Sequence, residues 1–427
     1  MKKRLLILAD DLTGALDTGV KFAEKGIETM VQLSPLSAET ADSNESNDKN
    51  ITVRVINTNT RHTTPEEARR IIKNAAAAFG AYTFFYKKTD SCLRGNTGAE
   101  LEALIETTKS SCLPFVPSYP KLKRITKNGT QYLEGKPIHE TSMASDPLNP
   151  ITESFIPAII KKQSAIPLRL MPANPKTLEM PKIPGPEILI FDSEKTSQLK
   201  PIAKQLFKKD LLKASAGCAG FAEALMEVLP LEKAPVKNAV SIPKLPVLVI
   251  SGSVHPVSVK QVKATLSKNV LGLSLAGERI IKPNWIYTEE ARTLVASCSQ
   301  ALREKGICIM GTEAAFGMNA MGLNAVELNA AVKPGGLRAA NSIPDVLGEV
   351  VKLVIQITGP LHLVVFGGDS LQGIMNTLNI SCLKPVKEIK PGVVLSVMGS
   401  GYLVSKAGAF GASDIIFKIV NYINKGR

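Results

Sequence analysis

Along most of the chain, apolar runs of strand length alternate with apolar positions at helical spacing. Leu5–Ala9 is an apolar run that stops abruptly at two carboxylates, Asp10 and Asp11. Thr13-Gly14-Ala15 turns the chain, and Leu16, Val20 and Ala23 then recur at helical spacing until Gly26 stops the helix. A short strand follows within Gly26–Leu33, then a polar loop over residues 37–50 and a strand over Ile51–Ile56. Thr64-Pro65-Glu66-Glu67 opens the next helix, with Thr64 as N-cap, Pro65 first and Glu67 closing a capping box. Tyr82–Lys87 is strand, Leu101, Leu104 and Ile105 share one helix face, and Leu113–Val116 is strand again. Residues 117–187 are rich in Pro and Gly and poor in period. They predict long loops with a hairpin around Gly129–Ile138, before a strand at Ile188–Phe191.

The stretch from Pro230 to Pro246 has linker composition. It divides the chain into an expected domain over 1–235 and another over 246–427. The second half repeats the style of the first. Strands are predicted at Val247–Ile250, Ile307–Met310 and Leu361–Phe366, with a pair at Val393–Val397 and Tyr402–Ser405. Helices are predicted at Val257–Leu266, Thr288–Glu304, Pro344–Gln356 and Asp414–Ile423. The fold class is α/β: two domains, each with a mostly parallel sheet covered by helices.

Composition narrows the class. The 427 residues are 44% hydrophobic and 21% charged, as in a soluble globular protein. The apolar run after Met1-Lys2-Lys3-Arg4 is too short for a signal peptide, and no stretch has the length of a membrane span. Six scattered cysteines without Cys-x-x-Cys read as reduced thiols in a cytoplasmic protein, and four histidines argue against structural zinc. No residue is singled out as a metal ligand. The net charge of +14 raises nucleic acid as a partner, but the basic residues are dispersed and aromatics are only 5%, so small anionic ligands fit better. No nucleic-acid or membrane partner is expected; a homodimer is compatible with the sequence, which leaves the oligomeric state open.

Chemistry-bearing residues gather at strand ends, and ligands of open α/β sheets bind beyond the strands' carboxyl ends. Asp10 and Asp11 end the first strand. Arg61 follows another. Lys88, Thr89, Asp90, Ser91, Arg94 and Asn96 follow a third, and together they offer a fork for an anion and partners for hydroxyls. In the second half, Gly367-Gly368-Asp369-Ser370 sits between strand and helix, where backbone N–H groups and a helix N-terminus cradle phosphate. Gly408-Ala409-Phe410-Gly411 and Ser251-Gly252-Ser253 are turns of the same kind. No Walker motif, Gly-x-Gly-x-x-Gly fingerprint or Gly-x-Ser-x-Gly elbow occurs.

These motifs resemble the four-carbon acid sugar kinases, two-domain enzymes acting on threonate, erythronate or 3-oxo-tetronate. The resemblance rests on Ala9-Asp10-Asp11-Leu12-Thr13-Gly14-Ala15, on Lys87–Asn96, and on Asn128-Gly129 with Gly135-Lys136-Pro137-Ile138-His139-Glu140-Thr141. It continues through Ser251-Gly252-Ser253, Gly367–Ser370 and Lys406–Gly411, in the family's order. It implies an N-terminal acid-sugar domain in which Asp10, Asp11, Arg61, Lys88, Thr89, Asp90, Ser91 and Arg94 hold the substrate. It further implies a C-terminal domain in which Ser253, Gly367, Gly368, Asp369, Ser370 and Gly408 hold ATP. Arg61 and Lys88 would pair with the substrate carboxylate, Asp11 or Asp90 would act as general base, and Mg²⁺ would offset phosphoryl charge. Two positions depart from the family pattern: Cys92, where Thr is usual, and His255, where a second Ser is common. The rival readings are a non-catalytic nucleotide or sugar-acid sensor using the same interdomain crevice, and a nucleic-acid binder with steeply salt-dependent affinity.

Overall fold

The computed structural model describes residues 2–34, 51–146, 149–173, 185–235, 241–280, 282–316, 342–408 and 410–425; the polar loop expected over 37–50 lies outside them. The chain divides into two compact units, Met1–Pro235 and Val236–Arg427.

The N-terminal unit begins with β1 (Leu5–Ala9), α1 (Leu12–Ala23), β2 (Thr29–Gln32), β3 (Val53–Asn57), α2 (Pro65–Ala78), β4 (Phe84–Lys88), α3 (Thr97–Thr108) and β5 (Cys112–Val116). An antiparallel trio follows, β6 (Arg124–Lys127), β7 (Thr130–Leu133) and β8 (Lys136–Pro137), in the stretch where at least one hairpin was expected. The unit is completed by α4 (Ile156–Lys161), β9 (Leu168–Met171), β10 (Glu187–Phe191), α5 (Thr196–Lys208), β11 (Ala214–Gly217) and α6 (Ala219–Met226). The main sheet runs in the order β2-β3-β1-β4-β11-β5-β10-β9, and its strand pairs are parallel. The strands β1, β3, β4, β5 and β10 are buried at every position, as helices on both faces of a parallel sheet require. On one side Leu6, Leu8, Ile56 and Phe85 pack with Ile72 of α2 and Leu101, Leu104 and Ile105 of α3. Burying each such side chain contributes about 1.5–3 kcal/mol.

Register sets the functional end of this sheet. Ala9 lies level with Asn57 on one side and Lys88 on the other, and Lys88 with Gly217. Asp10, Thr58 and Thr89 are therefore the first residues past three neighbouring strands. Two local expectations change. Thr64 caps α2 by accepting from Glu67 N (3.3 Å), but the Glu67 carboxylate turns to Arg70 (2.6 and 2.9 Å) instead of closing the box. β11 carries no hydrophobic signature because Ala-Ser-Ala-Gly is squeezed between β4 and β5; a Cβ at Gly217 would lie 2.2 Å from Val116 O.

The C-terminal unit contains β12 (Val247–Ser251), α7 (Pro256–Leu266), β13 (Gly272–Leu275), α8 (Gly277–Ile280), α9 (Glu289–Lys305), β14 (Ile307–Thr312) and α10 (Ile343–Thr358). It ends with β15 (His362–Phe366), α11 (Gly368–Thr377), β16 (Cys382–Lys390), β17 (Val393–Met398), β18 (Gly401–Lys406) and α12 (Ile415–Lys425). Its strand order is β13-β14-β12-β15-β18-β17-β16, parallel as far as β18 and antiparallel beyond. Val249, Val364, Phe366, Leu395 and Val404 form its core with Ile415, Ile416 and Ile419 of the last helix. His362 is buried in β15, its ring bonded to Pro243 O (2.9 Å) and to Tyr402 N (3.1 Å).

Candidate active site

The two carboxylates after β1 have separate local tasks. Asp11 is the N-cap of α1: Oδ1 accepts from Gly14 N (2.9 Å) and Oδ2 from Thr13 Oγ1 (2.5 Å). Arg61 reaches across from the segment after β3. Its Nε donates to Asp10 Oδ2 (2.7 Å) and its Nη1 to Asp11 Oδ2 (2.9 Å), and Nη2 lies 3.7 Å from Asp90 Oδ1. The Arg61 backbone is held as well. Asn96 Nδ2 donates to Thr60 O and Thr63 O, both at 2.8 Å, and Gly95, at φ +87°, sits where a Cβ would lie 3.2 Å from Arg61 Cα and O. Only a glycine lets that loop press so closely on Arg61.

One cation thus meets three carboxylates, and a second arginine completes the balance. Arg94 grips Asp90 with Nε on Oδ2 and Nη2 on Oδ1, each at 3.0 Å, and donates Nη1 to Asp146 (2.9 Å). Asp90 Oδ2 also accepts from Cys92 N (3.1 Å) and Arg94 N (3.3 Å). Burial would raise the Asp11 and Asp90 carboxyls. Arg61 with Lys88 overrules it at Asp11 and Arg94 with Arg61 at Asp90, so Asp11 lies below, and Asp90 well below, the usual range. Burial likewise opposes the charge on Arg61, and the three aspartates more than restore it. Two buried oxygens in this region have no hydrogen-bond partner among the described residues: Asp10 Oδ1 and Thr89 Oγ1.

The adjacent lysines of β4 point to opposite faces of the sheet, as the strand period of two requires. Lys87 is fully buried against Glu100 of α3 (3.1 Å) and donates to Lys88 O (3.1 Å). Glu100 also accepts from Thr60 Oγ1, Thr60 Oγ1 bonds Thr58 Oγ1 (2.8 Å), and Thr58 Oγ1 donates to Ala9 O (2.8 Å). Burial raises the Glu100 carboxyl even against Lys87. Lys88 takes the α1 side, where it donates to Thr89 O (2.9 Å). A Cβ at Gly14 would come within 3.0 Å of its Nζ and 2.5 Å of Asp11 Oδ1.

In the C-terminal unit three turns meet. A Cβ at Gly252 would collide with Ser370 Oγ (1.9 Å), one at Gly408 would touch Ser253 Oγ (3.0 Å), and one at Gly367, at φ +111°, would lie 3.5 Å from Ser253 N and Ser370 Oγ. Gly367 is the N-cap of α11, so that helix's first N–H groups open onto the same place. His255 caps α7, Nδ1 accepting from Val257 N (3.2 Å), the task a serine would perform there. Lys406, ending β18, is fully buried behind the Gly408 turn.

Comparison with known proteins bears on this pairing of sites. Residues 5–225 match the model of a sugar-binding N-terminal domain and residues 248–416 that of a nucleotide-binding C-terminal domain. The chain belongs to the four-carbon acid sugar kinase family. Among its curated relatives are a D-threonate kinase of Bordetella bronchiseptica (27% identical, covering 99% of this chain and 98% of the relative) and a D-erythronate kinase of Heliobacterium modesticaldum (26% identical, covering 98% and 97%). The fold is shared with a Haemophilus influenzae protein of the DUF1537 family (TM-score 0.70, 20% identical, covering 98% of this chain and all of that one).

Within this acid sugar kinase family member, Asp10, Asp11, Arg61 and Asp90 form one ion-paired group. Lys88 stands beside Asp11, and Arg94 joins through Asp90. Thr89 is buried and Ser91 half-buried at the end of β4, where the Ser91 carbonyl accepts from Gln131 Nε2 (2.9 Å). Ser253, Gly367, Ser370 and Gly408 converge in the other unit; Gly368 begins α11, and Asp369 is exposed in its first turn. At the departure Cys92, the backbone N–H serves Asp90 and the thiol is buried. Sequence reading missed Asp146, Glu100 with Lys87, and Lys406. A lysine at the carboxyl end of a mostly apolar strand was the available signal for both lysines; Asp146 carries none.

Proposed function

We propose that this chain is an ATP-dependent kinase that phosphorylates the terminal (4-) hydroxyl of a four-carbon sugar acid such as D-threonate, D-erythronate or 3-oxo-tetronate. The observation that carries the reading is the pair of buried, unpartnered oxygens, Asp10 Oδ1 and Thr89 Oγ1, on neighbouring strand ends beside Asp11, Lys88 and Arg61. Buried polar atoms call for partners, and a short polyol with a carboxylate supplies hydroxyls for the oxygens and an anion for the cations.

Asp11 suits the general base better than Asp90. The Asp90 oxygens take four N–H bonds and the Asp11 oxygens two, with one more from the Thr13 hydroxyl, and the Asp11 side chain is 21% exposed against 10% for Asp90. With its carboxyl held low, Asp11 is a weak base that orients the hydroxyl and accepts its proton as the new P–O bond forms. Arg61 keeps the three aspartates charged and in place, and Lys88 meets the substrate carboxylate. ATP phosphates would lie at the turns of Ser253, Gly367–Ser370 and Gly408, on backbone N–H groups and the α11 N-terminus. Among the described residues no group of three or more His, Cys, Asp or Glu is placed to hold a metal. Mg²⁺ arriving with the nucleotide would offset the charge of its phosphate oxygens.

The test is ADP release with Mg·ATP across D- and L-threonate, D- and L-erythronate and 3-oxo-tetronate. Turnover with one member is the expected result and names the substrate. Silence across the panel, with ATP still bound, refutes the substrate class.

A further inference from the structure

The amine of Lys406 poses a separate question. Its side chain is fully buried, and Nζ lies 3.0 Å from Ala407 O, 3.1 Å from Gly408 O, 3.0 Å from Phe410 O and 3.3 Å from Ser258 Oγ, over the Phe366 ring at 4.5 Å. No carboxylate among the described residues lies within ion-pairing distance of it. Burying an uncompensated ammonium is costly, and the carbonyls do not require it. Ala407 O accepts from Phe410 N (3.2 Å), Gly408 O from Ser258 Oγ (3.0 Å) and Phe410 O from Gln261 Nε2 (2.9 Å). Each has a second donor, so the loop would remain hydrogen-bonded without the amine.

An orphan cation behind a glycine turn that converges with Ser253 and Gly367 asks for an anion on the turn's other side. The carbonyls of 407, 408 and 410 face inward to the amine, while the Gly408 N–H has no partner among the described residues. We propose that Lys406 is a positioning residue for the nucleotide polyphosphate: the bound phosphates supply its missing counter-charge, and the ammonium so formed holds the Gly408 turn against them. This deepens the nucleotide reading above and rests on it. Burial pushes the amine down to about 7 in the free protein, so an arriving polyphosphate would draw a proton onto it. The titratable groups on the surrounding elements are His255, Lys260 and Lys263 at α7, His362 of β15, Asp369 in the first turn of α11, Lys384, Lys387, Glu388 and Lys390 of β16, and Asp414 and Lys418 at α12. Glu388 accepts from Gly392 N (3.0 Å), whose carbonyl accepts from Ala407 N (3.3 Å).

The experiment is calorimetric titration of the full chain with adenosine, ADP and ATP, without Mg²⁺, near pH 8, in buffers of different ionisation enthalpy. Wild type should take up most of a proton with ADP or ATP and none with adenosine; a His255→Asn control should still take it up. Lys406→Met should abolish the uptake and weaken ATP about tenfold or more, ADP less, and adenosine hardly at all. Equal losses for all three ligands would make Lys406 merely structural, and absence of uptake in wild type would overturn the proposal without any variant. If wild type fails to bind ADP or ATP at all, the nucleotide reading falls with it. Binding without proton uptake sinks only the role of Lys406.

Discussion

Replacing Asp11 with Asn separates capping from chemistry. An asparagine caps a helix about as well as an aspartate, so the bond from Gly14 N survives on Oδ1. What is lost is one negative charge, the acceptor for the substrate proton, and the bond from Arg61 Nη1 itself, because the amide Nδ2 that replaces Oδ2 can only donate. Arg61 keeps Asp10 at 2.7 Å and Asp90 at 3.7 Å, so it is not left unpaired. The stability loss should be about 1.5–3 kcal/mol, the worth of one hydrogen bond to a charged group, or several degrees in Tm for a unit of this size. The catalytic loss should be far larger: general-base assistance contributes about 10²–10⁴-fold, or about 3–5 kcal/mol of barrier at 1.36 kcal/mol per decade. The assay is steady-state ADP release with the acid sugar that turns over, beside ADP affinity and Tm of the same preparation. A kcat reduced less than about tenfold, or ADP affinity lost in step with kcat, would refute the assignment of Asp11 to the chemical step.

Gly14→Ala should leave the free energy of unfolding within about 1 kcal/mol of wild type, because alanine favours the helix. It should nevertheless depress kcat strongly, because its Cβ would lie 2.5 Å from Asp11 Oδ1 and 3.0 Å from Lys88 Nζ; unchanged kinetics would show that this approach is not needed. Lys87→Met should cost about 3–5 kcal/mol in urea unfolding by leaving Glu100 uncompensated in the core. Adding Glu100→Gln should recover most of it, and a purely additive double variant would contradict the coupling. The Asp11 and Asp90 carboxyls are lower in the folded protein than in the unfolded chain. Their contribution to stability is therefore whole above the unfolded value near 4 and is lost only as pH falls through the lower folded values. The urea midpoint of the N-terminal transition should accordingly hold until below about pH 4, and a collapse completed between pH 6 and 5 would show that these carboxylates are not held low.

How far the sequence disclosed this arrangement depends on what each residue has to signal. β1 and β5 are apolar throughout, and β3 and β10 mostly so, because helices cover both sheet faces, and so they were legible. β11 sits in the middle of the same sheet and was invisible, because its space admits only Ala-Ser-Ala-Gly and small residues carry no hydrophobic pattern. The same contrast runs through the site. Asp10, Asp11, Arg61 and Asp90 end strands of one sheet, and the rule that strand ends build the crevice was enough to gather them. It did not disclose that the arginine would be shared among three carboxylates. Pairing is decided by register, here the level alignment of Ala9 with Asn57 and Lys88, and register is a long-range property. Lys87 and Lys88 are adjacent letters with opposite fates. Strand geometry sends one into the core against Glu100 and the other toward Gly14, and neither destination is knowable until the helices on each face are placed. Lys406 is the sharpest case. In the sequence it is the first letter of a glycine-rich motif, yet in the fold Gly408 helps bring three turns together and it is the lysine behind them that has no counter-ion among the described residues. A residue's chemistry can be read from its type, but whether that chemistry is satisfied can be read only from its neighbours.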